Sequence, residues 1–239
     1  MKPAWLELSG SVRMATRLVA AFLAVAMIAG CRTPSYLRPV VVPNYEPSNV
    51  YRANPNLPPS LRRLAVLPLT ASSSVKDPDA GIEALDPLIH SELARLQRFE
   101  VIIVTTEQMR QWTGKPSWRS DEALPASFFA QIRDGTGCDA VLFSQLTRYQ
   151  PYEPLAIGWK SSLVTVAQGP NAETKILWSV DDLVDAGNPD VARSAKAYYS
   201  QHLNNESPAS DSSTILASPR KFGQYSLSVL LGTLPERQK

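Results

Sequence analysis

Apolar and polar positions change period several times along this chain, and each change marks an element. Residues 64–69, LAVLPL, form a continuous apolar run between Arg62-Arg63 and a Thr-Ala-Ser-Ser-Ser stretch, which predicts a buried strand. Residues 70–80 are polar and carry Asp77-Pro78-Asp79. Ile82, Leu85, Ile89, Leu93 and Leu96 then recur at spacings of three and four, the stripe of an amphipathic helix. Pro87 interrupts that stripe, so the helix is expected to start there with Asp86 as its N-cap. FEVIIV, residues 99–104, is β-branched and predicts a second buried strand. A brief helix is expected at 106–112 and another at 125–134, closed by Gly135 and Gly137. CDAVLFSQLT, 138–147, predicts a third strand. A Pro-containing connection follows, and 161–169 alternates as a fourth strand. ETKILWSVDDLV, 173–184, is a fifth, pairing Leu163, Val164 and Val166 with Ile176, Trp178 and Val180 as an antiparallel hairpin. Residues 189–203 read as a surface helix opened by Pro189, 204–219 as a polar linker, and 219–234 as a closing helix.

The expected fold is therefore α/β: a mixed sheet of about five strands with helices packed on it, in the order β-α-β-α-β-β-β-α, plus a C-terminal helix. The expected organisation is a leader at 1–30, a Pro-rich tether at 31–61, an α/β domain at 62–203, and a linker with helix at 204–239. The tether holds seven prolines, which remove donors and fix φ. Its Tyr36, Tyr45 and Tyr51 are expected to anchor on the chain's own domain or to lie exposed.

The leader is the most informative stretch. Arg13 and Arg17 precede an apolar run at 18–30, too short for a spanning helix of ~20 residues and laid out as an export sequence. Met14 is a second plausible start. Ile28-Ala29-Gly30-Cys31 closes the run and resembles the lipobox of bacterial lipoproteins. That resemblance implies cleavage before Cys31, a diacylglycerol thioether on its sulfur, and a fatty-acylated (palmitate) new N-terminus. Each buried methylene adds ~0.8 kcal/mol, so several chains together hold a bilayer. Arg32 in the next position implies the outer membrane, with the domain in the periplasm.

Composition narrows the choices further. The 239 residues carry a formal charge of +2, but removing Lys2, Arg13, Arg17 and Glu7 with the leader leaves 21 basic and 21 acidic side chains. A neutral domain has no electrostatic claim on nucleic acid. Two Cys and two His argue against a zinc site or a disulfide scaffold. No cofactor is expected.

Four stretches in order, RRLAVLPL, the helix leading into RFEVI, TGCDAVLFSQLTRY, and the hairpin strand TKILWSV, resemble the periplasmic domain shared by curli-secretion (CsgG-type) lipoproteins, flagellar FlgO-like lipoproteins and the TolB N-terminal domain. The likeness spans roughly 62–203. The chain departs from that pattern at Pro68-Leu69, where relatives end the strand in Pro-Phe, and at Cys138, where they carry Ala. The pore formers of that family add long strand pairs. Here the connection at 149–161 has thirteen residues and the one after Val184 reads DAGNP, too short for spanning hairpins of ~9–11 residues per strand. The resemblance thus implies a lipid-anchored domain without the pore.

Candidate chemistry is sparse. Cys138 is expected to be a small buried filler, His90 a local partner of Asp86, and Glu83, Asp86 and Glu92 a solvated helix face. No catalytic, cofactor-binding or metal-binding residue is assigned. Trp112, Trp118 and Trp159 fall in or beside loops with Pro and charge, with Arg110, Lys115 and Arg119 as rim residues. Exposed aromatics next to guanidinium groups mark binding surfaces, so Trp112, Trp118, Arg119 and Trp159 are the candidate partner contacts. The expected function is non-catalytic: a membrane-anchored lipoprotein holding or recruiting an envelope protein, another copy of itself included. The alternatives are a subunit of an oligomeric secretion or transport complex and, less favoured, an envelope hydrolase.

Overall fold

Period-two alternation in the first long strands sorts their side chains onto two faces of one sheet. The structure, a computed structural model, describes residues 45–167, 173–203 and 211–237. The expected leader, Cys31 and the first part of the tether lie outside the described residues. In chain order the elements are β1 (Val50–Arg52), β2 (Asn56–Leu57), β3 (Arg63–Val66), β4 (Thr70–Ala71), α1 (Pro78–Leu96), β5 (Glu100–Ile103), α2 (Thr106–Thr113) and α3 (Phe128–Thr136). They continue with β6 (Ala140–Gln150), β7 (Ala156–Thr165), β8 (Ile176–Asp185), α4 (Pro189–Tyr198), α5 (Pro219–Gly232) and β9 (Glu236–Arg237). A π-helical turn at Tyr199–Leu203 extends α4, and a 3-10 turn at Ser212–Ala217 precedes α5.

The sheet runs β1-β8-β7-β6-β3-β5, with β4 also pairing β6. Its β6-β3-β5 part is parallel and its β6-β7-β8-β1 part antiparallel. The predicted mixed α/β sheet is thus observed, with seven strands in place of about five. Leu64 and Val66 of β3, Leu142 and Leu146 of β6, and Trp159 of β7 face one core with α1, α4 and α5. Ala65, Leu67, Val141 and Phe143 face a second core closed by α2 and α3. The hairpin register falls within the predicted set, with Leu163 opposite Trp178 and Val164 opposite Ile176.

Several expectations change. The first helix does not begin at Pro87. It begins at Pro78, with the Asp77 carboxylate accepting from Ala80 N–H, and runs through Pro87. An interior proline costs a helix about 3 kcal/mol, which the burial of Leu85, Leu88, Ile89 and Leu93 on the same helix offsets. Asp86 instead accepts from the Leu69 N–H at 3.0 Å, tying α1 to the residue just before β4. Glu92 is not on a solvated face: at 2% exposure it is held by Arg95 at 2.6 Å and Gln224 at 3.1 Å. β5 is an edge strand, and Ile103 is 50% exposed where a buried strand was expected.

The connection after the third strand is also shorter than its prolines suggested. β6 and β7 extend into it and leave only residues 151–155 between them. Trp159 therefore lies in β7, at 0% exposure, and not in a loop. The domain also extends beyond 62–203 at both ends. β1 pairs with β8 within the expected tether. Helix α5, expected beyond a linker, buries Phe222, Tyr225, Leu227, Leu230 and Leu231 in the larger core. Helix α4 is not a surface helix either, since Val191, Ala195 and Tyr198 are buried.

Two tryptophans fasten α5 to the sheet. Trp159 Nε1 donates to Ser226 Oγ at 2.9 Å, and Trp178 Nε1 donates to Thr233 Oγ1 at 2.9 Å. Both hydroxyls donate in turn to carbonyls of the helix, Gly223 O and Leu230 O. Trp159→Ala is expected to lower the unfolding free energy by about 4 kcal/mol, and Ser226→Ala, which strands a buried indole N–H, by about 2 kcal/mol. Urea denaturation followed by far-UV circular dichroism measures both.

Candidate functional site

Three of the four residues expected to contact a partner gather at two levels of one corner. Helix α2 is fixed by a reciprocal cap: Thr105 Oγ1 accepts from Gln108 N–H at 3.2 Å, and Gln108 Oε1 accepts from Thr105 N–H at 2.9 Å. Gly114, at φ +78°, ends it in the left-handed conformation that favours glycine. The segment that follows folds back over the second core. Trp118 donates its indole N–H to Thr113 Oγ1 at 2.8 Å and meets Phe128 edge-on at 5.8 Å. The Lys115 ammonium sits 4.7 Å above the Trp118 ring and pairs with Glu122. Trp112 packs against Gly135, where its indole fills the space a Cβ would need. Both indoles are half-buried and serve as the lid of the smaller core. Trp159 is on the opposite face of the sheet, inside the larger core.

Arg119 stands at the rim of this lid. Its Nε lies 3.0 Å from Asp121 and 3.5 Å from Glu122, and Asp121 in turn lies 3.5 Å from Lys160 of β7. The Arg119 hydrogen bond, aided by the Lys160 and Arg119 charges, holds the Asp121 carboxyl below the usual carboxylate range. This chain of charges bridges the 113–122 segment to the sheet and closes one side of an open cleft of about 460 Å³. Its other walls include Leu124, Phe129, Phe143 and Ile176.

A second cleft of about 460 Å³ was not foreseen from the sequence. It lies between residues 45–52, α4 and α5. The Tyr45 hydroxyl donates to Asp182 Oδ2 at 3.1 Å, Ser48 N–H donates to the same oxygen at 2.8 Å, and Tyr45 N–H donates to Ser194 Oγ at 3.2 Å. Tyr45 is thus one of the anchors expected of the tether's tyrosines, whereas Tyr51 is exposed. Arg52 Nε donates to Thr233 O at 2.6 Å. Tyr198 and His202 stack at 4.6 Å and 21°. Burial, with the Asp182 charge next, pushes the Tyr45 phenol up. Burial also raises Tyr198, aided by Glu92, and Tyr225, with Ser194 pulling the other way. All three phenols remain protonated donors at neutral pH. A tyrosine pair one helical step from a histidine, AYYSQH, was the available signal, and it reads equally as a core stripe.

The remaining candidates are dispersed. Cys138 is buried at the entrance to β6, and burial raises its thiol pKa above the ordinary range. This fits a small core residue, since a reactive thiol is one whose pKa is lowered. His90 lies on α1, away from Cys138, which belongs to the second core. Among the described residues no three His, Cys, Asp or Glu side chains gather as a metal site, and no helix is long and apolar enough to cross a membrane.

Asp121→Asn is expected to lower stability by under about 1 kcal/mol at neutral pH, because the ion pairs it breaks are partly exposed. A depressed carboxyl pKa contributes stability above the unfolded value of about 3.9, and that contribution is lost as pH falls through the folded value. Wild type and variant are therefore expected to differ in urea midpoint at neutral pH and to converge in acid.

No protein-family model matches the chain, and no curated protein matches it. Among solved structures it is similar to the PelC dodecamer from Paraburkholderia phytofirmans, at 13% identity and a TM-score of 0.43, over 80% of this chain and 97% of that one. It is also similar to lipoprotein GNA1162 from Neisseria meningitidis, at 19% identity and a TM-score of 0.41, over 60% and 99% of the two chains. The LpoB C-terminal domain from Salmonella enterica matches at 20% identity and a TM-score of 0.33, over 52% and 82%.

Proposed function

We propose that this chain is a bacterial envelope lipoprotein, anchored in the outer membrane through acylated Cys31, whose α/β domain acts by binding other envelope components. The observation that carries this reading is the Ile28-Ala29-Gly30-Cys31 sequence at the end of a short apolar run behind two arginines. A thiol at that position is the nucleophile that lipidation needs, and the small residues before it admit the backbone to a peptidase cleft. The resemblance to the CsgG-type, FlgO-like and TolB N-terminal domains belongs to this proposal and rests on its motifs.

The binding surface assigned to the domain is the aromatic lid around Trp112 and Trp118, with Arg119 at its rim. Aromatic and Arg side chains are the residues most enriched where interfaces concentrate their energy. Trp159, at 0% exposure, supports the fold beneath and does not take part.

A second reading, that of a subunit in an oligomeric secretion or transport complex, is favoured by the edges of the sheet. β1 and β5 end it on opposite sides, and they differ in sequence and direction. The Ile103 side chain is half exposed at one end and Tyr51 at the other. Unlike edges permit head-to-tail pairing of copies, the arrangement that closes into rings.

Cys31→Ser is expected to move the chain from the membrane fraction to the soluble fraction and to remove the mass of its acyl groups. Membrane association that survives this change would overturn the anchor. Crosslinking of the full chain in its envelope, wild type against Trp118→Ala, is expected to lose the partner's band in the variant. Sedimentation of the detergent-solubilised chain distinguishes the second reading, which requires a closed assembly well above the monomer mass.

A further inference from the structure

The two outer edges of the sheet are complementary to each other. Among the described residues no strand pairs the outer side of β1 or of β5. Hydrogen bonds fix which backbone groups face outward. In β5, Glu100 N–H donates to Arg62 O and, just beyond the strand, Val104 N–H donates to Val66 O. Glu100 and Ile102 therefore turn toward β3, and Val101 and Ile103 point their N–H and C=O groups away from it. Beside β1, Asp181 N–H donates to Asn49 O and Ala53 N–H donates to Leu177 O. Tyr51 therefore turns toward β8, and Val50 and Arg52 point outward. Such a row of unpaired donors and acceptors is a template for another strand unless lysine, proline, a bulge or a covering element blunts it. Neither VYR of β1 nor EVII of β5 carries a lysine or a proline. The charged residue of each strand is engaged within the chain: Arg52 Nε donates to Thr233 O, and Glu100 lies 3.3 Å from Arg63. Each edge also shows a half-exposed apolar side chain, Tyr51 on one and Ile103 on the other.

We propose that β5 pairs with β1 of a second copy of this chain, antiparallel, with Ile103 opposite Val50 and Val101 opposite Arg52. This rests on the second reading above, self-assembly, and assigns its interface. Direction follows from the topology. β5 runs parallel to β3 and β6, and the antiparallel steps from β6 through β7 and β8 to β1 leave β1 opposed to it. Register follows from the outward groups. A shift of one residue sets outward groups against inward ones, and a shift of two leaves one outward residue of each strand without a mate. In the assigned register Val50, Arg52, Val101 and Ile103 are all paired, and each pair exchanges both of its N–H···O bonds. The side chains agree. Val50 and Arg52 share a face with Val180 and Trp178, and Val101 and Ile103 share one with Leu64 and Val66; those four partners all belong to the larger core. The joined strands thus continue one sheet, with the same face toward α1, α4 and α5 in both copies. On the opposite face Tyr51 lies across from Ile102 in the close, non-hydrogen-bonded position. Ile103 is covered by Val50, and Tyr51 by Ile102. Because opposite edges are used, each copy keeps one edge for the next, the head-to-tail arrangement of rings and filaments.

The test is disulfide trapping on the full chain in detergent. Non-hydrogen-bonded antiparallel partners lie about 4.5 Å apart at Cα, within disulfide reach. Tyr51→Cys and Ile102→Cys, co-expressed as separate chains and oxidised, are expected to give a crosslinked dimer above the wild-type background. Neither variant alone is expected to do so. Tyr51→Cys with Glu100→Cys, two residues out of register, is expected to give much less. Ile103→Lys is expected to weaken self-association in sedimentation about tenfold or more. Its thermal midpoint is expected to stay near that of the wild type, because the side chain is half exposed. A closed assembly that forms without the Tyr51–Ile102 crosslink overturns this interface and leaves the second reading standing. Crosslinking within Tyr51→Cys alone, the mark of like edges meeting about a two-fold axis, overturns it too, as does unchanged association in a folded Ile103→Lys. A chain that stays monomeric at every concentration overturns both the interface and the second reading.

Discussion

Two indole N–H groups buried beneath a helix hold this domain in its arrangement. Trp159 and Trp178 sit on adjacent strands of the sheet, both at 0% exposure, and a buried N–H needs an acceptor. Ser226 and Thr233, seven residues apart and so on one face of α5, supply them. Leaving either indole unpaired in the core would forfeit a hydrogen bond and retain its desolvation cost. Sliding α5 along the sheet would break both at once. The helix is therefore set in register as well as in contact. Gly223 adds to this, because its missing side chain makes room for Leu85 of α1.

The position of α5 in turn determines the cleft. Tyr225, Ser228, Val229 and Thr233 line one wall, and Thr233, which accepts from Trp178, belongs to the wall and to the sheet contact together. The stretch at 45–52 supplies the facing wall. Asp182 holds it by accepting from both Tyr45 and Ser48, and β1 pairs with β8 just beyond. Residues 45–52, expected in the tether, are thus part of the domain's own structure. Below the cleft, buried Glu92 is neutralised by Arg95, which also donates to Ser228 Oγ at 2.8 Å. That contact ties α1 to α5 with a charged network whose acid is buried, so removing Arg95 leaves a costly uncompensated carboxylate, whereas Arg95 itself is partly exposed.

The other face of the sheet follows different logic. Its helices α2 and α3 cover the parallel strands but leave much of the β7-β8 part uncovered. There the charge chain Arg119–Asp121–Lys160 spans from the lid to the strand. Trp112 and Trp118 close the small core from the loop side, so their ring edges face both the interior and the surface. A residue so placed serves packing and contact together, and the two roles are separated by stability measurements alongside binding ones.

The sequence by itself determined the α/β class, most strand and helix types, and the antiparallel hairpin of the 161–169 and 173–184 segments, though not its register. These are local properties, read from a period of two or of three to four. Tertiary structure alone decided the rest. Pro87 sits inside α1 because burial of Leu85 and Leu88 on either side outweighs the lost helical bond. Trp159 is core because the prolines are confined to a short turn at 151–155 and β7 pairs with β6 from Ala156 onward. Glu92 is buried because Arg95 and Gln224 reach it, the latter from a helix 132 residues away. The cleft at Tyr225 needs three segments far apart in sequence, and no local period records which of them meet. Periodicity tells a segment which of its faces is apolar, but the partner of that face is fixed by the burial and polar pairing of the whole chain.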